Sequence, residues 1–492
     1  MGLFHSYDIR GIYGTELTED FVFKLGKSIL KYTNAKKIVI GYDSRSSNLK
    51  LFSAISKAIL EQGVDITHIG IVTRPMLNWI AKKHGYDLGI IITASHNPKE
   101  YNGFKFLWNG KPLYYDNGLN DVEKLISESN DVISKVLKEK KSKKYGKIIS
   151  IDYIDEYVKF LSSHLSGEFR HYIKNHTMRI IADGSNGAAG EIIKRFLLNN
   201  DITYELLFTH PDGTFYGHDP NPLNPGATIV LSRKVPEFKA NFGFIVDPDA
   251  DRIRFVDDKG HVVDNNYVDC MIVEYLLNDA NNSKNNNKTY RNNNTKGNKN
   301  NNKVAIVNDL ISRKILSETI TKNGGLSIVS KVGTSNIIQN MSHEKALFGC
   351  EVSGHRYFKI MNNQDSGLMT LVFLLNTICS KSYANKKLSS LWKKYDKYFD
   401  LGELNYTLRD DNKKEKIIND ITQYYSNKKN KKKLGVKHIY SIDGVSVVTK
   451  NYWFNVRSSN TEPLLRLRIE GKNSNILLNV KRELEKFILI NK

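Results

Sequence analysis

The chain has 492 residues, too many for a single hydrophobic core, so roughly three or four domains are expected. Hydrophobic residues make up 40% and charged residues 25%, which excludes a disordered chain as a whole. The net charge of +21 raises nucleic acid as a partner, but the excess is lysine spread along the chain without interleaved aromatics, and nucleic-acid binding is set aside as the main function.

"KKIVIGYDSR" (36–45) reads as a strand running into a polar turn, and "LKLFSAISKAILEQG" (49–63) as a helix with a glycine stop. "ITHIGIVTRP" and "LGIIITAS" are further strands, giving an α/β unit with parallel pairing. The second of these strands runs into "TASHNPKEYNGFK" (93–105), where Pro98 and the pair Asn102-Gly103 mark turns. One hydroxyl, that of Ser95, is therefore delivered to a strand end, the place where open α/β sheets bind ligands. The alternative is that Ser95 only satisfies turn backbone. The charged stretch "KVLKEKKSKKYGK" (135–147) closes the unit.

"MRIIADGSNGAAGEIIKRFLLNN" (178–200) reads strand, glycine-rich turn, helix. Gly184, Gly187 and Gly190 are spaced G-x-x-G-x-x-G, which is not the G-x-G-x-x-G of a dinucleotide site, so they are read as close strand–helix packing. Farther on, "FIVDPDADRIRF" (244–255) alternates Asp247, Asp249 and Asp251 after an apolar run. Three carboxylates so close repel one another unless a cation lies among them, and oxygen-only ligands suit a hard ion such as Mg²⁺. A calcium loop needs Gly sixth and Glu twelfth, where this chain has Arg252 and Asp258.

A third unit carries helices in "NNYVDCMIVEYLL" and "DLISRKILSETI" and a strand in "KVAIV". The tract 281–302 is rich in asparagine, basic and nearly devoid of apolar residues, and is expected to be a disordered surface insertion. "GCEVSGHRYF" (349–358) gathers Glu351, Ser353 and His355, polar groups able to meet neighbouring sugar hydroxyls. A fourth, α+β unit follows, with helices in "LSSLWKKYDKYF", "EKIINDITQYY" and "ILLNVKRELEKFIL" and strands in 438–457 and 464–471. Its run "NKKNKKKLG" (427–435) is expected to be a solvated loop. In "RSSNTEPLLRLRIE" (457–470), short hydroxyl and amide side chains beside Arg457 make an anion cradle.

The three cysteines, Cys270, Cys350 and Cys379, have no metal-ligand spacing, which argues against a disulfide scaffold or zinc site. No apolar run is long enough to cross a bilayer and "MGLFHSYDIRG" lacks the features of a signal peptide, so a reduced, cytoplasmic compartment is expected.

"TASHNP", "DPDADR", "CEVSGH" and "RSSNTEP", in this order and together with "YDIRG" (7–11), make the chain resemble the α-D-phosphohexomutase family, most closely its phosphoglucomutase/phosphomannomutase branch. The resemblance spans the chain apart from the asparagine tract and the basic run. It implies four domains around a central cleft, three related α/β domains and a smaller α+β C-terminal one, with expected limits at 1–147, 148–257, 258–382 and 383–492. The implied activity interconverts hexose 1-phosphate and hexose 6-phosphate through a phosphoserine and a hexose 1,6-bisphosphate that also serves as activator. Ser95 then resembles the phosphoryl carrier, and Asp247, Asp249 and Asp251 the ligands of one Mg²⁺, with the phosphate on Ser95 completing the site. Glu351 and Ser353 resemble the sugar contacts, and Arg457, Ser459, Asn460 and Thr461 the clamp on the non-reacting phosphate. Arg10, His96, Lys105, Arg252 and His355 match polar positions around the reacting phosphate, and Tyr7 and Lys331 match substrate contacts. Lys105 is the first choice of general base and His355 the second; as a base, Lys105 needs a lowered pKa. Some family members have a sugar-contacting histidine where this chain has Thr334. The loop sequence around Val352 favours glucose and mannose phosphates over N-acetylated sugars. The implied partners are sugar phosphates, with no nucleic acid and no membrane, and a monomer or homodimer is expected. A hexosamine-phosphate mutase, a metal-dependent phosphatase and a non-catalytic sugar-phosphate binding protein are the rival readings.

Overall fold

The computed structural model describes residues 2–136, 144–283, 303–408, 413–459 and 464–489. Most of the asparagine tract, residues 284–302, and of the charged stretch after 136 lies outside the described residues, as do Asn460 and Thr461. The first three residues of the tract end the helix Asn265–Ser283. The chain divides into two compact units, Met1–Asn265 with Ser353–Leu391, and Asn266–Val352 with Trp392–Lys492.

In the first unit, one sheet has the strand order Ile9–Ile12, Tyr101–Trp108, Leu88–Ile92, Ile38–Tyr42, Ile66–Ile71, Ile148–Ser150. Ile38–Tyr42 and Leu88–Ile92 are buried along their whole length, as expected of central parallel strands. The parallel pairing expected from the sequence holds for these and for Ile66–Ile71, but Leu88–Ile92 pairs antiparallel with Tyr101–Trp108, which in turn pairs antiparallel with Ile9–Ile12. The loop 93–100 is thus a hairpin connection, and the register sets Arg10 opposite Gly103 and Lys105 opposite Ile91. "TRP" starts a helix, Arg74–Lys83, instead of ending a strand: Thr73 accepts the Met76 N–H and Pro75 stands in the first turn, where its missing N–H costs nothing.

A second sheet in this unit runs Ile253–Asp257, Phe242–Val246, Arg179–Asp183, Thr203–Leu207, with the first pair antiparallel and the others parallel. The three glycines after Asp183 mark close backbone approaches, though to loops more than to a helix. A Cβ on Gly187 would stand 2.5 Å from Pro248 Cα, and one on Gly190 1.9 Å from Thr209 O. The short pair Arg356–Phe358 and Gln364–Asp365 also belongs to this unit.

In the second unit Leu326–Ser330, Ala305–Asp309 and Phe348–Cys350 pair in parallel. Five antiparallel strands, ordered Phe399–Thr407, Leu464–Gly471, Tyr452–Ser458, Val445–Thr449, Val436–Tyr440, share a core with the helices Lys413–Ser426 and Ser474–Leu489. Two expectations are corrected here. The helix read in "LSSLWKKYDKYF" is short, Leu388–Trp392 with a 3₁₀ turn behind it, and Phe399 already belongs to a strand. The lysine run forms the helix Lys428–Leu434, because the Asn427 side chain caps its start and Gly435, left-handed at φ 63°, ends it.

Candidate active site

Ser95 follows the buried strand Leu88–Ile92, and its backbone adopts a left-handed φ of 51°, unusual for a residue with a Cβ. The Ser95 N–H donates to Thr93 Oγ1 over 2.8 Å, and Thr93 Oγ1 donates to Asp43 Oδ2 over 2.7 Å. On its other side, Ser95 Oγ donates to Asp247 Oδ2 (2.8 Å) and accepts from Arg252 Nη2 (2.9 Å). The hydroxyl is therefore aimed at the acidic turn rather than used up on local backbone.

That turn joins the antiparallel strands Phe242–Val246 and Ile253–Asp257. It is closed by the Ala250 N–H to Asp247 O and by the Arg252 N–H to Asp247 Oδ1, with Ala250 left-handed at 52°. Asp247, Asp249 and Asp251 are all buried, and one oxygen from each lies within 4.8 Å of the others. Lys105 Nζ donates to Asp249 Oδ2 (3.1 Å) and Asp251 Oδ2 (3.2 Å), and Arg74 Nε donates to Asp251 Oδ2 (2.9 Å). Even so, Oδ1 of Asp249 and Oδ1 of Asp251 are buried with no hydrogen-bond partner. A buried, oxygen-only donor set with unsatisfied oxygens fits a hard divalent cation.

The charges explain the proton affinities. Burial and repulsion from Asp251 and Asp249 push Asp247 well above the usual carboxylate range. Burial acts the same way on Asp251, but Lys105, Arg74, His355 and Arg252 outweigh it and hold Asp251 well below that range. Burial opposes the charge on Lys105, and Asp249 and Asp251 overcome it, so the amine is held above its ordinary value. The lowered pKa that a resting base needs is thus absent at Lys105. His96 goes the other way: burial and the cations Arg252 and Arg10 hold its ring neutral, and its Nδ1 lies 3.3 Å from Ser95 Oγ.

His355 reaches the same place from the far end of the first unit. Its backbone bridges to Arg252, and its Nδ1 lies 2.7 Å from Asp365 Oδ2 and 3.5 Å from Asp251 Oδ1. Burial disfavours the charged ring, but Asp251 and Asp365 outweigh it and raise its pKa. Arg10 Nη1 donates to Asn97 Oδ1 (2.6 Å), and Arg10 also pairs with Asp8. Tyr7 packs edge-on against Tyr114. Ser95, His96, Arg10, Lys105, the three aspartates, Arg252 and His355 are therefore brought together, with Ser353 two residues before His355 in the same unit. Sequence reasoning missed Arg74 and Asp365, whose partners stand far away in the chain, and Asp43 and Arg45, which pair with each other and also reach the 93–101 segment some 50 positions on.

The other expected residues lie in the second unit. Glu351 is buried and accepts the Gly333 N–H (2.8 Å). Asp309 accepts from the Val352 N–H (3.0 Å) and from Ser312 Oγ (2.6 Å), anchoring that loop. Lys331 is exposed just ahead of the helix Thr334–His343. Arg457 donates to Glu403 Oε2 (2.5 Å), a carboxylate shared with Arg466 Nη1 (3.2 Å), and Ser459 accepts from Arg466 Nη2 (3.4 Å). The two guanidiniums already hold one carboxylate between them, which is the charge arrangement of an anion site.

The sequence matches the family description "Phosphoglucomutase/phosphomannomutase" domain by domain. The alpha/beta/alpha domains I, II and III match residues 1–131, 155–260 and 288–398, and the C-terminal domain matches 405–486. The chain is 31% identical to a phosphomannomutase of Methanocaldococcus jannaschii, covering 99% of this chain and 97% of that one. It is 27% identical to a phosphoglucomutase of Neisseria meningitidis, covering 99% and 96%. Its fold is similar to a crystal structure of a phosphoglucomutase/phosphomannomutase family protein from Burkholderia thailandensis, with TM-score 0.82, 23% identity and coverage of 99% and 96%.

Proposed function

The chain belongs to the phosphoglucomutase/phosphomannomutase family, with its four-domain architecture, and we propose that it interconverts the 1- and 6-phosphates of glucose, mannose or both through phosphorylated Ser95 and a hexose 1,6-bisphosphate. The observation that carries this reading is Ser95 Oγ suspended between Asp247 Oδ2 and Arg252 Nη2 beside three buried carboxylates. A site built only to bind sugar phosphate has no need of a hydroxyl there. The domain limits near 147, 257 and 382 are part of the same proposal.

In one half of the cycle the bond from phosphorus to Ser95 Oγ breaks as a bond to a substrate hydroxyl forms. In the other half, the second phosphate returns to Ser95 and the sugar oxygen leaves with a proton. Arg252, 2.9 Å from Oγ, faces the phosphoryl group in both halves. Lys105, which carries its proton beside an unmodified Ser95, suits the acid role in the half that phosphorylates serine. By microscopic reversibility the neutral amine it leaves is the base of the opposite half. Asp365 orients His355 and Arg74 steadies Asp251 and Asp365 together. Asp247, Asp249 and Asp251 would hold one Mg²⁺, whose charge offsets that of the phosphoryl oxygens. Glu351 and Ser353 are read as sugar contacts, and Arg457, Ser459, Asn460 and Thr461 as the grip on the phosphate that is not reacting.

The test is a coupled assay for glucose 1-phosphate to glucose 6-phosphate with Mg²⁺ and catalytic bisphosphate, repeated with mannose and glucosamine phosphates. Release of inorganic phosphate would make the protein a phosphatase. Preference for glucosamine phosphate would make it the hexosamine enzyme, and binding without turnover a sugar-phosphate binding protein.

A further inference from the structure

One buried cation outside these roles touches the Ser95 loop from behind. Arg45 follows the strand Ile38–Tyr42 and its side chain has no exposure. Nη1 donates to Pro98 O (2.7 Å) and Tyr101 O (2.7 Å), and Nη2 donates to Ser95 O (2.7 Å) and Asn97 O (2.6 Å). Nε donates to Asp43 Oδ2 (3.3 Å), and Asp43 also receives Thr93 Oγ1 and Asn48 Nδ2. A guanidinium has five N–H donors in one rigid plane, and all five are used. Four of them go to carbonyls on both sides of a single loop. The Phe215 ring covers the guanidinium at 5.1 Å, and Phe215 itself is left-handed at φ 50°. Beside it, a Cβ on Gly213 would meet Ser46 N at 2.5 Å, so this lid sits directly on the 44–46 backbone.

We propose that Arg45 is a positioning residue that fixes the Ser95 loop in the geometry for phosphoryl transfer by gathering three of its carbonyls, and that of Tyr101 where the next strand begins, onto one guanidinium. The inference rests on the reading of Ser95 as the phosphoryl carrier. The physical need is specific. The unmodified hydroxyl donates to Asp247, but a serine phosphate ester has no hydroxyl proton, so that bond exists in only half of the cycle. Something that does not change with phosphorylation must hold the loop, and must hold Ser95 at a φ that a Cβ disfavours. The four bonds from the Arg45 Nη atoms reach only main-chain oxygens, which phosphorylation of the Ser95 side chain leaves in place. Lysine cannot replace this, having three donors and no plane.

The test uses the full-length enzyme with Mg²⁺ and bisphosphate. Arg45→Lys and Arg45→Ala are each expected to lower kcat roughly 100-fold, the scale of an ångström misplacement, with KM for hexose phosphate changed less than about threefold. Added guanidinium ion should restore part of the turnover of Arg45→Ala, while methylammonium should not. Phe215→Leu keeps every hydrogen bond and should lower kcat by less than either, which provides a readout if Arg45→Ala does not fold. A folded Arg45→Ala running within about threefold of the parent overturns the proposal. So does a loss of kcat that follows melting temperature across the variants and gains nothing from guanidinium. Ser95→Ala separates the two readings. If it still turns over, the carrier reading has failed; if it is inactive while Arg45→Ala is unimpaired, only the role of Arg45 has failed.

Discussion

Ser95 Oγ donates to Asp247 Oδ2 over 2.8 Å although 152 positions separate the two residues. A serine at the end of one sheet and an acidic turn at the end of another thus form one polar centre.

Ser95→Ala should remove nearly all mutase turnover while the protein stays folded. Intact-protein mass spectrometry after incubation with bisphosphate should show one phosphate fewer than on the parent. A folded variant with near-normal turnover would end the carrier reading.

Arg457→Ala removes a charge-assisted partner that now holds Glu403, a contact worth on the order of 1.5–3 kcal/mol. If this group grips the non-reacting phosphate, kcat/KM should fall roughly tenfold to a hundredfold. Bisphosphate should also escape more often, so the variant should need more added activator. Unchanged kinetics and unchanged activator demand would remove Arg457 from the site.

Gly187→Ala should act on the acidic turn through backbone alone. The new Cβ would meet Pro248 Cα at 2.5 Å and Pro248 O at 2.6 Å, and the Ala188 N–H already donates to that oxygen. The expected cost is about 1–3 kcal/mol in thermal stability, with a raised Mg²⁺ requirement for turnover. Gly226→Ala, where nothing lies within 4 Å, is the control. Equal melting temperatures for the two variants would show that the turn moves freely.

Asp309 predicts a pH dependence in the second unit. Burial and the neighbouring Glu351 push its carboxyl up to about 7 from an ordinary 3.8, against the pull of Ser312, the Val352 N–H and Arg468. The folded form holds a proton that the unfolded chain has already lost, so the associated stability is complete below 3.8 and disappears as pH rises through about 7. Asp309→Asn should remove this trend. Between about pH 5 and pH 8 the parent should lose roughly 2–3 kcal/mol more than the variant in denaturant unfolding of this unit. Parallel stability curves would place the carboxyl near its ordinary value.

The sequence showed these features unevenly, for physical reasons. The strand before Ser95 was legible because "LGIII" is an unbroken apolar run, buried at every position. The acidic turn was legible because three alternating carboxylates have few other uses. Arg74 was not, since "TRP" after an apolar run continues a strand pattern, and its value shows in its ion pairs with Asp251 and Asp365, both set by tertiary structure. Asp365 sits in an ordinary polar stretch, and its partners Arg74 and His355 are set by tertiary structure. The lysine helix was misread because like charges disfavour helix, while the caps at Asn427 and Gly435 favour it. The strand Phe399–Thr407 was hidden under an apparently helical run.

Arg74 pairs with both Asp251 and Asp365, and Asn78 on the same helix reaches Gln364, 286 positions later. This connection has a consequence in time. A ribosome adding ~5–20 residues per second needs on the order of 15–60 s to travel from one side of it to the other. During that interval the growing chain already carries Ser95, and then the acidic turn, but neither Asp365 nor His355. Of the four cations that lower Asp251, His355 is still missing, and Arg74 lacks one of its two carboxylate partners, so the acids and bases of the centre do not yet have the proton affinities of the finished protein. The charge arrangement of the centre is thus completed only when the last part of the first unit, from Ser353 onward, is made.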